Sequence, residues 1–93
     1  MSAFYNLYDD DLDCIHPHIG FFTSIEYVER FCKTEELIKF LRTNSFKKRR
    51  EVRLALYRSD PNGFLHNDLI KLMYWDIDEN DNYIRRRSYD QRH

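Results

Sequence analysis

Apolar and polar positions along this chain change period several times, and each change marks an element. Within 24–43, Ile25, Val28, Phe31 and Cys32 share one helical face, while Leu37, Ile38 and Leu41 share another about half a turn away. One straight helix would be apolar on both sides. Ser24 with Glu26 is a first start signal, and Thr34 before Glu35-Glu36-Leu37 is a second. The pattern therefore predicts two short helices, about 24–32 and 34–43, with a break at Lys33 that lets both faces meet one core.

Residues 46–58 fit two templates. Lys47 to Arg58 is rich in helix formers, yet Val52, Leu54 and Leu56 alternate with Arg53, Ala55 and Tyr57 at the strand period. Ser59-Asp60-Pro61-Asn62-Gly63 is a turn under either reading. Leu65, Leu69, Leu72 and Met73 then recur at helical spacing and predict a helix over 64–73. Met73–Ile77 reads as strand, 78–82 as turn and Tyr83–Tyr89 as a returning strand, because Asn and Asp tolerate the positive φ of a tight hairpin. Residues 1–22, punctuated by Pro17 and Gly20, read as an acidic and aromatic arm with a short strand at 3–8. The expected fold is a small α+β domain with two short helices in its first half and a C-terminal antiparallel hairpin or three-stranded sheet. A winged-helix-like layout is the alternative, with Arg85, Arg86 and Arg87 on the wing. No internal repeat appears.

Length sets the scale of the core. Ninety-three residues make one domain that buries only about 60–65% of its unfolded surface. Seven Phe, seven Tyr and one Trp offset the small size, since each buried aromatic removes roughly 150–250 Å² from water. Two Gly and two Pro argue against a disordered chain. No apolar run of about 18 residues suggests a membrane span, and the first residues lack a signal-peptide pattern. Cys14 and Cys32 make no disulfide framework, so a reducing, cytoplasmic setting is expected.

Charge is sorted along the chain. Residues 1–45 carry four basic and eight acidic groups, a net of −4; residues 46–93 carry eleven and eight, a net of +3. Asp9, Asp10, Asp11 and Asp13 form the acidic run. Lys47, Lys48, Arg49, Arg50 and Arg53 form one basic cluster and Arg85, Arg86 and Arg87 another. Such sorting suits an acidic arm docking on a basic face within one chain or between two, or separate contact surfaces. The total of −1 counsels against a simple nucleic-acid coat.

No motif fixes an activity. Cys14, His16 and His18 alternate and Cys32 could join them as zinc ligands, but the spacing matches no structural zinc pattern. Asp76, Asp78, Asn80 and Asn82 occupy positions 1, 3, 5 and 7 of a calcium loop, but Asp81 stands where Gly belongs and Arg87 where the bidentate Glu belongs. The Asp run lacks the nucleotide motif that a magnesium site would accompany. Cys14, Cys32 and His66 are nucleophile or base candidates by type alone, with nothing arranging them. No metal, cofactor or enzymatic activity is expected.

Two contact readings remain. Tyr, Trp and Arg dominate protein-binding hot spots. Tyr74, Trp75, Tyr83 and Arg85 to Arg87, with Asp9 to Asp13 as electrostatic counterpart, are the expected protein-contact residues. The leading expectation is a small non-catalytic regulator or inhibitor acting by protein contact, with homodimerisation in view and a character shared with many virus-encoded regulators. The alternative is a nucleic-acid-binding domain that sets Lys47 to Arg53 and Arg85 to Arg87 on phosphates.

Overall fold

A computed structural model of the chain describes residues 4–10, 17–44, 48–59, 67–86 and 89–90. Strands β1 (Phe4–Asp9) and β2 (His18–Phe22) come first, then helices α1 (Ile25–Phe31) and α2 (Glu35–Thr43). Strands β3 (Glu51–Ser59), β4 (Asn67–Ile77), β5 (Tyr83–Arg85) and the two-residue β6 (Tyr89–Asp90) follow. The sheet runs β2-β1-β3-β4-β5, and β6 pairs with β4 alongside β5. Every pairing is antiparallel. The fold is α+β, with two helices and an open antiparallel sheet.

The helix pair forms as its phase shift predicts. Ser24 Oγ accepts from the Tyr27 amide at 3.2 Å and caps α1. Thr34 Oγ1 donates to the Phe31 carbonyl at 2.7 Å and closes the end of α1. The break between the helices lets Val28 and Cys32 from the first, and Leu37 and Leu41 from the second, enter one core. They meet Leu7, Val52, Leu54, Leu56, Met73, Trp75 and Ile77 from the sheet. No described helix is long and apolar enough to cross a membrane.

The structure decides one open stretch, corrects a second and extends a third. Within the segment 46–58, open between helix and strand, the residues from Glu51 onward form β3, and the alternation of Val52, Leu54 and Leu56 prevails over helix propensity. The expected helix over 64–73 is corrected: from Asn67 onward this stretch is β4. The cause is a β-bulge. Leu56 pairs with Lys71 but Tyr57 pairs with Leu69, which leaves Ile70 as the extra residue. Leu69 and Leu72, across from Tyr57 and Ala55, therefore fall on one face three positions apart, a step that imitates a helix. The stretch read as an arm supplies two sheet strands, with β1 lying between β2 and β3. Its expected strand at 3–8 corresponds to β1, and the hairpin expected after residue 73 corresponds to β4 and β5.

Strand alternation assigns each side chain to a face. Leu7 and Asp9, paired with Leu56 and Leu54, point toward the helices, as do Val52, Met73, Trp75 and Ile77. Phe4, Asn6, Tyr8, Phe21, Arg53, Ala55, Tyr57, Tyr74, Asp76 and Ile84 take the other side by register. No described element covers that second face.

Candidate functional site

Charge sorting along the chain becomes charge pairing across the sheet. β1 lies beside β3, so the acidic run meets the first basic cluster. Arg49 Nη1 and Nη2 donate to Asp9 Oδ1 and Oδ2 at 3.0 and 2.8 Å, a two-pronged contact buried on the helix side. Arg49 Nη2 also reaches the Leu41 carbonyl at 3.5 Å and so touches α2. Arg53 Nε pairs with Asp10 at 2.8 Å on the opposite face. Lys48 and Arg50 are exposed. Asp11, Asp13 and Lys47 lie outside the described residues.

A second charge cluster sits at the edge of the helix layer. Glu29 on α1 accepts from Lys71 Nζ at 2.7 Å and from Arg85 at 3.0 and 3.2 Å. Arg85 also lies over the Trp75 ring, 5.3 Å from its centroid. Burial pushes the Glu29 carboxyl up, but the hydrogen bonds and charges of Arg85 and Lys71 outweigh it and leave the group below its ordinary 4.5. A depressed folded-state value means that the ionised group stabilises fully above 4.5 and loses that contribution as pH falls through its folded value. Glu29→Gln is therefore expected to lower the urea midpoint at pH 7 and to flatten its decline below pH 4.5, read by denaturation at several pH values.

The expected contact residues are divided by the sheet. Trp75 is 3% exposed and belongs to the core, so it cannot itself touch a partner of the folded protein. Tyr83 packs against the same core and lies beneath Arg42, 5.3 Å from its ring centroid. Asp9 is buried with Arg49, and Arg85 is bound to Glu29. Tyr74 and Arg86 take the helix-free side, where Arg86 pairs with Glu51 at 2.5 Å and Asp76 at 3.0 Å and covers the Tyr74 ring. Arg87 lies outside the described residues.

The two described metal candidates, His18 and Cys32, are likewise separated. Cys14 and His16 lie outside the described residues. His18 is on the helix-free face, where its Nε2 meets Asn6 Oδ1 at 3.1 Å. Cys32 lies on the other side of the sheet, with its thiol 3.9 Å from Met73 Sδ. Burial pushes the Cys32 thiol up to about 11, so it carries no thiolate at neutral pH. No three His, Cys, Asp or Glu among the described residues converge on a point. The calcium-like run is hairpin chemistry. Asp78 Oδ1 accepts from the Asn80 and Asn82 amides at 2.8 and 2.9 Å, Asp81 takes φ 62°, and Asp76 belongs to Arg86. His66 lies outside the described residues.

What the helix-free face assembles was not legible beforehand. Phe4 and Phe21 stack with centroids 4.8 Å apart. Tyr8 contacts His18 at 5.0 Å and Tyr57 at 5.7 Å. Ala55, between its cross-strand neighbours Tyr8 and Leu72, is buried. Phe21 and Ile84 are each 54% exposed. These residues come from four strands separated by up to 80 positions. The period-2 alternation of β1 and β3 was the available signal, and it lacked the information that both strands belong to one sheet.

No protein-family model matches the chain, and comparison with curated proteins and with solved structures returns no match.

Proposed function

We propose that this chain is a small non-catalytic regulatory or inhibitory protein that acts by protein contact through the helix-free face of its sheet. The observation that carries this reading is the one-sided sheet: helices cover one face, and the other presents Phe4, Tyr8, Phe21 and Tyr57 on the neighbouring strands β1, β2 and β3. Aromatic rings on a rigid platform bind with little loss of side-chain freedom, and contiguous exposed apolar surface marks interaction sites. A reducing, cytoplasmic setting suits the unpaired Cys32 thiol.

A second reading has one observation in its favour. An open antiparallel sheet with exposed rings can stack the bases of a single strand, and this needs no winged-helix layout. Electrostatics favours the protein reading. Of the six described residues in the two basic clusters, Arg49, Arg53, Arg85 and Arg86 are held by carboxylates of this chain. Lys48 and Arg50 remain as the exposed pair outside these contacts.

Phe21→Lys and Tyr27→Lys separate the faces, because Phe21 lies on the open face and Tyr27, 51% exposed, on α1. Affinity capture from the native host is expected to lose a partner with Phe21→Lys, by about 30-fold or more for a hot spot, and to retain it with Tyr27→Lys. Equal capture by both variants overturns the proposed face. Anisotropy titration with single-stranded probes at low salt tests the second reading; binding that falls steeply with salt would favour nucleic acid.

A further inference from the structure

We infer that the occupant of the helix-free face is a second copy of this chain; this rests on the protein-contact reading above. Three observations fit a copy of this chain to this face.

The first is charge. Each described arginine on this face is neutralised by a carboxylate on the same face: Arg53 by Asp10, and Arg86 by Glu51 and Asp76. A face with a strong field of one sign would repel its own copy and select a partner of opposite sign. This one sets two arginines against three carboxylates, so it has no strong field of one sign and two copies meet with little like-charge repulsion.

The second is polar satisfaction. Asn6 Nδ2 donates to Ser59 Oγ at 3.2 Å, and Asn6 Oδ1 meets His18 Nε2 at 3.1 Å. These three polar side chains are occupied by one another. A facing surface therefore need not supply a matching donor or acceptor to these three. Rings against rings suffice, and the Phe4–Phe21 and Tyr8–Tyr57 pairs provide them on both copies.

The third is extent. The five strands of the main path contain 34 residues. At about 3.3 Å rise and 4.8 Å spacing they span roughly 500 Å² of flat sheet before side-chain relief is counted. That is the same order as the about 800 Å² per partner of a standard interface. Two sheets packed face to face at about 10 Å would enclose the aromatic layer between them. A twofold axis makes every contact occur twice, so each contact residue is replaced twice by one substitution.

Sedimentation velocity and light scattering on the whole chain test this. The expected mass is twice the 11.5 kDa of one chain. Combining Phe21→Lys with Ile84→Lys places four cations in the interface and is expected to weaken self-association by about 100-fold or more. Tyr27→Lys, on the helix side, is expected to leave the dimer intact. Circular dichroism checks that each variant stays folded. A wild type that is monomeric at about 100 µM, where even a weak specific dimer is populated, overturns the inference. So does a dimer that survives Phe21→Lys with Ile84→Lys, or one that Tyr27→Lys disrupts. A monomeric wild type whose partner capture still depends on Phe21 overturns the second copy alone. A monomer whose capture ignores Phe21 overturns the protein-contact reading with it.

Discussion

Arg49→Ala is expected to remove a large fraction of the stability of this domain. Its guanidinium holds both carboxylate oxygens of Asp9 at 3.0 and 2.8 Å, with side-chain exposures of 5% and 0%. Removing the cation leaves a buried carboxylate without its counter-charge, a change that costs about 3–5 kcal/mol. A chain of this length has roughly 5–14 kcal/mol in total, so the urea midpoint falls by a large fraction or the chain unfolds. Arg49→Lys is expected to recover little, because an ammonium cannot reproduce the two parallel bonds. The pair is not a source of net stability in itself. Replacing both members by apolar side chains of similar size, Asp9→Leu with Arg49→Met, is expected to restore most of what Arg49→Ala loses. Urea denaturation of the four proteins decides the matter; a loss below about 1 kcal/mol for Arg49→Ala, the range of exposed pairs, would contradict a buried pair.

Trp75→Ala is expected to act on folding rather than on a surface. Trp75 pairs with Val52 on β3 and with Arg85 on β5, and it belongs to the same core as Val28 and Met73. Truncating a buried Trp costs about 3–5 kcal/mol through lost burial and the cavity left behind. It also removes the ring under Arg85 and loosens the neighbourhood of Glu29. Lost partner capture in this variant would therefore accompany lost near-ultraviolet dichroism and a lowered midpoint. Phe21→Lys is expected to lose capture with its near-ultraviolet dichroism kept and, at protein concentrations low enough for the wild type to be monomeric, its midpoint nearly unchanged, because exposed substitutions are usually within about 0.5 kcal/mol. If Trp75→Ala keeps the wild-type midpoint, its place in the core is wrong.

The contrast between Trp75 and Tyr74 shows how far residue type carries an argument. Both belong to the aromatic and arginine set that composition singles out for contact. Adjacent residues on a strand point to opposite faces, so at most one of them could serve a given surface. The sheet's helix layer decides which: Trp75 lies in the core on the helix side, and Tyr74 is on the other side with Arg86. The acidic run divides in the same way, with Asp9 buried against Arg49 and Asp10 paired with Arg53 on the opposite face.

Local chemistry alone determined the two helices, their break, the Asp- and Asn-rich turn before β5 and the strand character of its flanks. Capping, phase and turn preferences act over three or four residues, and these segments carry them undisturbed. The strand state of β3 was one of two readings that the sequence left open, because helix propensity and alternation disagreed there. Tertiary structure decided the rest. The bulge at Ile70 is visible only against the register of β3. The Asp9–Arg49 and Glu29–Arg85 pairs join residues 40 and 56 positions apart. The aromatic face exists because β1, β2, β3 and β4 become neighbours, and no period along one strand specifies which other strand will lie beside it.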